Sequence, residues 1–344
     1  MSGRVTAQDV AKAAGVSPAT VSLVFHNKPG IKAQTRSHVL ATAMDLGYKP
    51  SAPAQLPAEI RTLTLAIFRQ EGSANFESPF FEHLVKGISD EIRRTHGYRL
   101  SVSYFYGDSD AEPQLEELRA TAPAGIIVLA TEMHSRDVDT FTGLGLPLVL
   151  LDNCYGSKAV DSVVIDNERG AKAAVRYLSA QGHKSIGMLH SSEDLKNFRE
   201  RREGFLSAIR KLRAKGQVDE PVIVDIGHSI DDSYRRMCEY LDAIPEVPTA
   251  FFASNDHVAS YCIRALQEHG LRVPEDVSVI GFDDVEFAAS MNPPLTTMRV
   301  PQESMGELAV KRLHDLIDGR TRSIVHLRVQ PELVARSSVR RLVH

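Results

Sequence analysis

From residue 62 onward, short and almost uninterrupted apolar runs alternate with amphipathic stretches of helical length, and this pattern constrains the fold more than any other feature. Strands are predicted at Leu63–Phe68, Leu100–Tyr104, Gly125–Leu129, Leu148–Leu151, Val163–Ile165, Ile186–Leu189, Val222–Val224, Ala250–Ala253 and Val277–Ile280. Helices are predicted between most of them, among others at Phe81–Thr95, Glu168–Gln181, Arg199–Lys215, Ile230–Ala243 and His257–His269. Strands without polar alternation are buried on both faces, which requires parallel sheets covered by helices on each side. So many strands over residues 62–344 fit two doubly wound lobes better than one. In that α/β architecture a ligand lies between the lobes, beyond the carboxyl ends of the strands.

The first fifty residues read differently. Thr6 precedes the apolar-periodic run Ala7–Ala14 and Asp9 follows it by three positions, as in a capping box. Gly15 suits a left-handed residue that ends this helix. Ser17 is the next N-cap, with Pro18 at the first helical position, where a missing N–H costs nothing. This second helix is expected to run through Asn27, followed by a Lys28-Pro29-Gly30 turn and a third helix over about Ala33–Leu46. Two helices separated by one short glycine turn form a helix-turn-helix. Pro50, Pro53 and Pro57 then mark a linker over residues 51–61.

Charge separates the same parts. Residues 1–50 carry six Lys/Arg against two Asp, a net of +4, whereas the whole chain is −4, so the remainder carries −8. A basic head on an acidic body suits a polyanionic partner, although a short segment can reach +4 by chance. Cys154, Cys238 and Cys262 are too few and too scattered for a disulfide framework or a metal knuckle. The N-terminus has no apolar signal region, and no apolar run approaches the ~20 residues of a membrane span. These features point to a reduced cytosolic compartment and exclude a membrane partner.

A helix starting near Ser17 would present its first turns to the major groove, with Pro18 and Ala19 at base edges. The hydroxyls of Ser17, Thr20 and Ser22 suit phosphate oxygens, which set register without reading sequence. The bland alternative is a three-helix bundle in which these groups only cap and turn.

These residues carry a resemblance to the LacI/GalR family of bacterial repressors. In the head the matching positions are Val5-Thr6, Asp9-Val10-Ala11, Ala14-Gly15-Val16-Ser17, Thr20-Val21-Ser22, Thr35-Arg36 and Leu46-Gly47-Tyr48-Lys49-Pro50. In the body they are the GHKSIG run from Gly182, RREGF from Arg201, FASND from Phe252, LRVPEDVSVIGFDD from Leu271, PLTT from Pro294, and Met305-Gly306. The resemblance spans nearly the whole chain in the family order. It implies a sequence-specific regulator with a helix-turn-helix head (1–50), a hinge (51–61) and a two-lobed effector-binding and dimerisation domain (62–344).

By that resemblance, the DNA-contacting residues are Thr6, Ser17, Pro18, Ala19, Thr20, Ser22, Leu23, His26, Lys32 and Thr35, with Leu56 as the wedge entering the minor groove. Three head positions depart from the family. Leu23 stands where many members have a cation that grips guanine, an interaction giving ~1–3 kcal/mol of discrimination. His26 replaces a common Asn, and Lys32 replaces the Ser that caps the third helix, trading a cap for a phosphate-directed charge. The linker departs further, because Pro53 and Pro57 bracket Leu56 and an interior proline costs a helix ~3 kcal/mol. A minor-groove wedge on a hinge helix and an extended linker both remain open.

The resemblance also implies an effector site at Phe80, Phe81, Asp152, Asn197, Arg201 and Asp256. An Arg facing an Asp across an aromatic floor suits a polyol, since both make charge-assisted hydrogen bonds to hydroxyls. Alternatives stand beside each role: Arg201 adjoins Arg199 and Arg202 as surface charge, Asp256 caps a helix, and Phe80 and Phe81 pack in the core. The implied partners are a pseudo-palindromic double-stranded operator, a second copy of the chain and a small effector, with sugars first and nucleobases next. No HExxH, GxxxxGK[ST] or GxSxG motif occurs, and Gly143-x-Gly145 precedes a strand instead of following one. No enzyme, cofactor or metal is therefore expected. The competing class is a solute-binding protein of a transport system, which would share the body but not the head.

Overall fold

A computed structural model describes residues 5–25, 31–46, 48, 60–70, 79–227, 230–321 and 323–342. The chain divides into two compact units, Met1–Ile60 and Arg61–His344.

The described residues of the first unit form helices α1 (Ala7–Ala13), α2 (Pro18–Phe25) and α3 (Ala33–Asp45). The expected capping box is present. The Thr6 and Asp9 side chains each reach the other's backbone amide, and Gly15 sits at φ +64°. Ser17 Oγ accepts the Thr20 amide at 3.1 Å, as an N-cap should. Val10, Ala11, Ala14, Val21, Val24, Val39 and Ala43 form the small core. Arg36 donates to the Val24 carbonyl at 3.2 Å, satisfying an end group of α2. The bounds of α2 stop at Phe25, and the expected extension to Asn27 lies outside the described residues.

The second unit contains β1 (Arg61–Arg69), α4 (Pro79–Thr95), β2 (Tyr98–Tyr106), α5 (Ala111–Ala120), β3 (Pro123–Leu129), α6 (Val138–Thr142), β4 (Leu148–Leu151) and β5 (Asp161–Ile165). Then come α7 (Asn167–Ala180), β6 (Ile186–Ser191), α8 (Lys196–Arg213), β7 (Val222–Ile226), α9 (Ile230–Ala243), β8 (Ala250–Ala253), α10 (Asp256–Glu268) and β9 (Ser278–Asp283). β10 (Thr296–Arg299), α11 (Gln302–Ile317), β11 (His326–Val329) and β12 (Glu332–Val334) complete it. The strands form two six-stranded sheets, in the orders β11-β5-β4-β3-β1-β2 and β12-β10-β9-β8-β6-β7. All pairings are parallel except β10 with β12. Two doubly wound lobes are therefore present, as the apolar alternation predicts.

The sequence reading did not anticipate the last three strands. β10 is Thr-Thr-Met-Arg, and β11 and β12 are short and half polar, so none carries an apolar run. Their pairings also make the lobes discontinuous. The chain leaves the first lobe after β5, returns through α11 and β11, and crosses again to β12. The crossings are tied together: the Asp166 amide donates to Val329 O at 2.8 Å, and Gln302 Nε2 donates to Asp283 O at 3.1 Å. The return is possible because α11 lies almost against α4. A Cβ on Gly87 would fall 2.0 Å from Glu303 O, and one on Gly306 would fall 2.4 Å from Leu84 O. Only glycine permits this backbone approach.

Candidate functional site

The carboxyl ends of the strands from both lobes meet around one cavity, lined by side chains of both lobes. The first lobe contributes Phe80, Phe81, Thr131 and Asp152, and the second contributes Leu195, Asn197, Phe198, Arg201, Asn255 and Asp283. Phe80 and Phe81 open α4 and pack edge to face, with centroids 5.5 Å apart. Both are largely buried, so they serve the core and the cavity wall together.

Asp152 follows β4 in the left-handed region, at φ +69°. Its Oδ2 accepts hydrogen bonds from Thr131 Oγ1 at 2.7 Å and from Asn197 Nδ2 at 3.0 Å. Its Oδ1 is buried without a hydrogen-bond partner among the described residues. Burial raises this carboxyl to about 6, against the opposing pull of the Thr131 and Asn197 hydrogen bonds and the Arg201 charge. The Asn197–Asp152 bond joins the two lobes across the cavity.

Asn197 and Arg201 lie one turn apart on α8 and share a buried relay. Asn167 Nδ2 donates to Asn197 Oδ1 at 2.9 Å, and Asn167 Oδ1 accepts from Arg201 Nε at 2.9 Å. Arg201 Nη1 donates to Ser254 O at 2.6 Å and Nη2 to Asp283 Oδ1 at 2.9 Å. Its guanidinium also sits 3.8 Å from the Phe282 ring centroid. Arg201 is 2% exposed, which removes the surface-charge alternative. Burial pushes the Asp283 carboxyl up, opposed by the Arg201 guanidinium.

The structure thus brings Phe80, Phe81, Asp152, Asn197 and Arg201 together, but Asp256 is not among the lining residues. Both of its oxygens are taken up inside the second lobe, by Thr297 Oγ1 at 2.5 Å and the Val285 amide at 3.0 Å. Nor is it the cap of α10; Asn255 is, accepting from the Val258 amide at 2.8 Å. The sequence reading missed Thr131, Leu195, Phe198, Asn255 and Asp283. Asn255 and Asp283 stood inside the quoted FASND and GFDD runs. The stripe Phe198, Arg201, Phe205, Ala208 and Ile209 was a legible sign that this face of α8 is buried.

In the head, Thr6, Ser17, Pro18 and Lys32 are exposed, and Thr20 and Thr35 are half-exposed. The Ser17 and Thr20 hydroxyls are 2.9 Å apart. Ala19, Ser22 and Leu23 lie on α2, but their side chains are outside the described part; His26 and Leu56 lie outside it entirely. Among the described residues no helix is long and apolar enough to cross a membrane.

Residues 6–51 match the profile of bacterial regulatory proteins of the lacI family, and residues 175–339 match a periplasmic binding protein-like domain. A probable HTH-type transcriptional repressor ExuR of Bacillus subtilis is 30% identical over 347 residues, covering 98% of this chain and 99% of its own. The HTH-type transcriptional repressor PurR of Pasteurella multocida is 31% identical over 343 residues, covering 97% and 98%. Among solved structures, a lac repressor dimer bound to operator and the anti-inducer ONPF matches with TM-score 0.70 at 27% identity, covering 98% of this chain and 100% of that one. A transcriptional regulator CelR–cellobiose complex matches with TM-score 0.70 at 28% identity, covering 97% and 100%. With a DNA-binding head, two discontinuous lobes around one cavity and relatives matched end to end, the chain belongs to the lacI family of bacterial regulatory proteins, the DNA-binding transcriptional repressors.

Proposed function

We propose that this repressor acts in the cytosol as a homodimer on a pseudo-palindromic operator, and that a small polar effector, a sugar in the first instance, controls its operator affinity from the interlobe cavity. The observation that carries the reading is the composition of the cavity wall. Its polar groups come from both lobes and are joined by the Asn197–Asp152 bond. A ligand bonded to both sides changes the relative free energy of different lobe angles. Effector and operator affinities are then coupled reciprocally.

The dimer reading is supported by β2, an edge strand that exposes Val102 (47%), Tyr104 (52%) and Tyr106 (47%) along one face. Edge strands of monomers are normally charged or covered. Two-fold protein symmetry would match a two-fold operator. The relatives described with cellobiose, and with operator and ONPF, support the ligand class and the operator.

The test is a thermal-shift screen of sugars, nucleobases and phosphorylated metabolites on the full chain, with each hit retested for its effect on binding to genomically selected DNA. At least one hit is expected to change operator affinity at least fivefold; hits that stabilise the protein yet leave DNA binding unchanged would remove the allosteric reading. A second expectation concerns the exposed Lys32. Lys32→Ala should weaken binding to all sequences about equally and lower the salt slope by about one, as for one lost phosphate contact. An unchanged slope in gel shifts across salt concentrations would take Lys32 off the DNA.

A further inference from the structure

We infer that the cavity admits an uncharged, hydroxyl-bearing effector and rejects carboxylated and phosphorylated analogues of similar shape, with Asp152 as the residue that sets this selectivity. The inference rests on the cavity being the effector site and adds the charge class of its occupant.

The first argument is a charge inventory. Among the described lining residues the ionisable side chains are Asp152, Asp283 and Arg201. Arg201 is committed to Asp283, Ser254 O and Asn167, so its charge is balanced within the wall. Asp152 accepts hydrogen bonds from Thr131 and Asn197, both neutral, and among the described residues forms no ion pair, Arg201 acting on it only at a distance. The next cation along α8, Lys196, turns to the Cys154 carbonyl and lies 3.7 Å from Glu200. The starts of α8 and α10 would by themselves favour an anion. They are opposed here by Asp152 and Asp283, two carboxyl groups on the cavity wall against one guanidinium.

The second argument is hydrogen-bond valence. Asp152 Oδ1 is a buried acceptor with no hydrogen-bond partner among the described residues, so a donor on the occupant would satisfy it. Asn255 is oriented by the Val258 amide, which leaves its own N–H groups as donors at the same cavity. A hydroxyl meets both demands, since it donates and accepts. A carboxylate or phosphate offers acceptors only, beside an acceptor that is already charged. Phe80, Phe81, Leu195 and Phe198 supply apolar surface for the carbon face of such a ligand.

The charged groups facing Asp152 are Arg201 on α8 and Asp283 at the end of β9. The block to anions is consequently relieved as Asp152 itself takes up a proton, in the range around pH 6.

The experiment is calorimetric titration of the full-length protein with neutral monosaccharides and disaccharides, each beside its uronic acid and its phosphate ester. The expected result is binding of at least one neutral sugar, with its anionic partners at least 100-fold weaker at pH 7.5. Asp152→Asn should narrow that gap at least tenfold by improving anion binding. In the wild-type protein, which needs no variant to fold, lowering the pH from 7.5 to 5.5 should also improve anion binding. Anions binding as well as or better than their neutral partners at pH 7.5 would overturn the inference and leave the cavity reading standing. A panel in which nothing binds would overturn both.

Discussion

Arg201→Ala will destabilise the full-length protein by about 3–5 kcal/mol, the usual cost of removing one partner from a buried ion pair. The loss should exceed that of any surface arginine, because Arg201 is 2% exposed and three of its N–H groups reach Asn167, Ser254 O and Asp283. Truncation leaves the Asp283 carboxylate buried with no counter-charge and releases the relay that orients Asn197 toward Asp152. Chemical denaturation checks the magnitude. Arg201→Met combined with Asp283→Asn should recover most of the loss, since the uncompensated charge is then gone. A single-variant loss below about 1 kcal/mol would show that the guanidinium does not hold the second lobe's half of the cavity together.

Asp152→Asn is expected to do the opposite at neutral pH and raise stability. The folded carboxyl is raised from 3.8 to about 6 because burial disfavours its charge. A raised acid stabilises the fold fully below pH 3.8, and that contribution is lost as the pH climbs through about 6. At pH 7.5 the ionised group therefore costs the fold up to about 3 kcal/mol, at 1.36 kcal/mol per pH unit between the two values. Asparagine carries no charge, its carbonyl can accept from both Thr131 and Asn197, and it tolerates the left-handed backbone at φ +69°. The gain should be about 1–3 kcal/mol at pH 7.5 and vanish toward pH 4. Unfolding curves across that range decide the matter; a loss of stability at pH 7.5, or a gain independent of pH, contradicts the assignment. Such a variant would show that the chain retains a charge at a cost in stability, as expected of a group kept for its ligand.

The candidate site residues that line the cavity were named through the family resemblance, and short-range rules account for the local placement of each. Asp152 ends an apolar strand, Asn197 and Arg201 are one turn apart on one helix, and Phe80 and Phe81 open another. Side-chain direction was not legible at Asp256. Its carboxylate turns inward because Thr297 and Val285, both distant in sequence, present donors to it. Arg201 is an intermediate case. Flanking arginines suggested a surface charge, yet the spacing to Phe198, Phe205 and Ala208 already placed it on the buried stripe.

By itself, the order of residues determined the local elements: the capping box at Thr6 and Asp9, the glycine stop at Gly15, the apolar strands and the amphipathic helices between them. These follow from backbone sterics, hydrogen-bond valence and hydrophobic period, which act over a few neighbouring residues. Tertiary structure alone decided that β10, β11 and β12 are strands, that the lobes are discontinuous, and that one oxygen of Asp152 has no hydrogen-bond partner among the described residues. Those outcomes depend on which distant groups arrive beside a residue, and no local pattern encodes the remaining space or the remaining hydrogen-bonding capacity once the chain has closed.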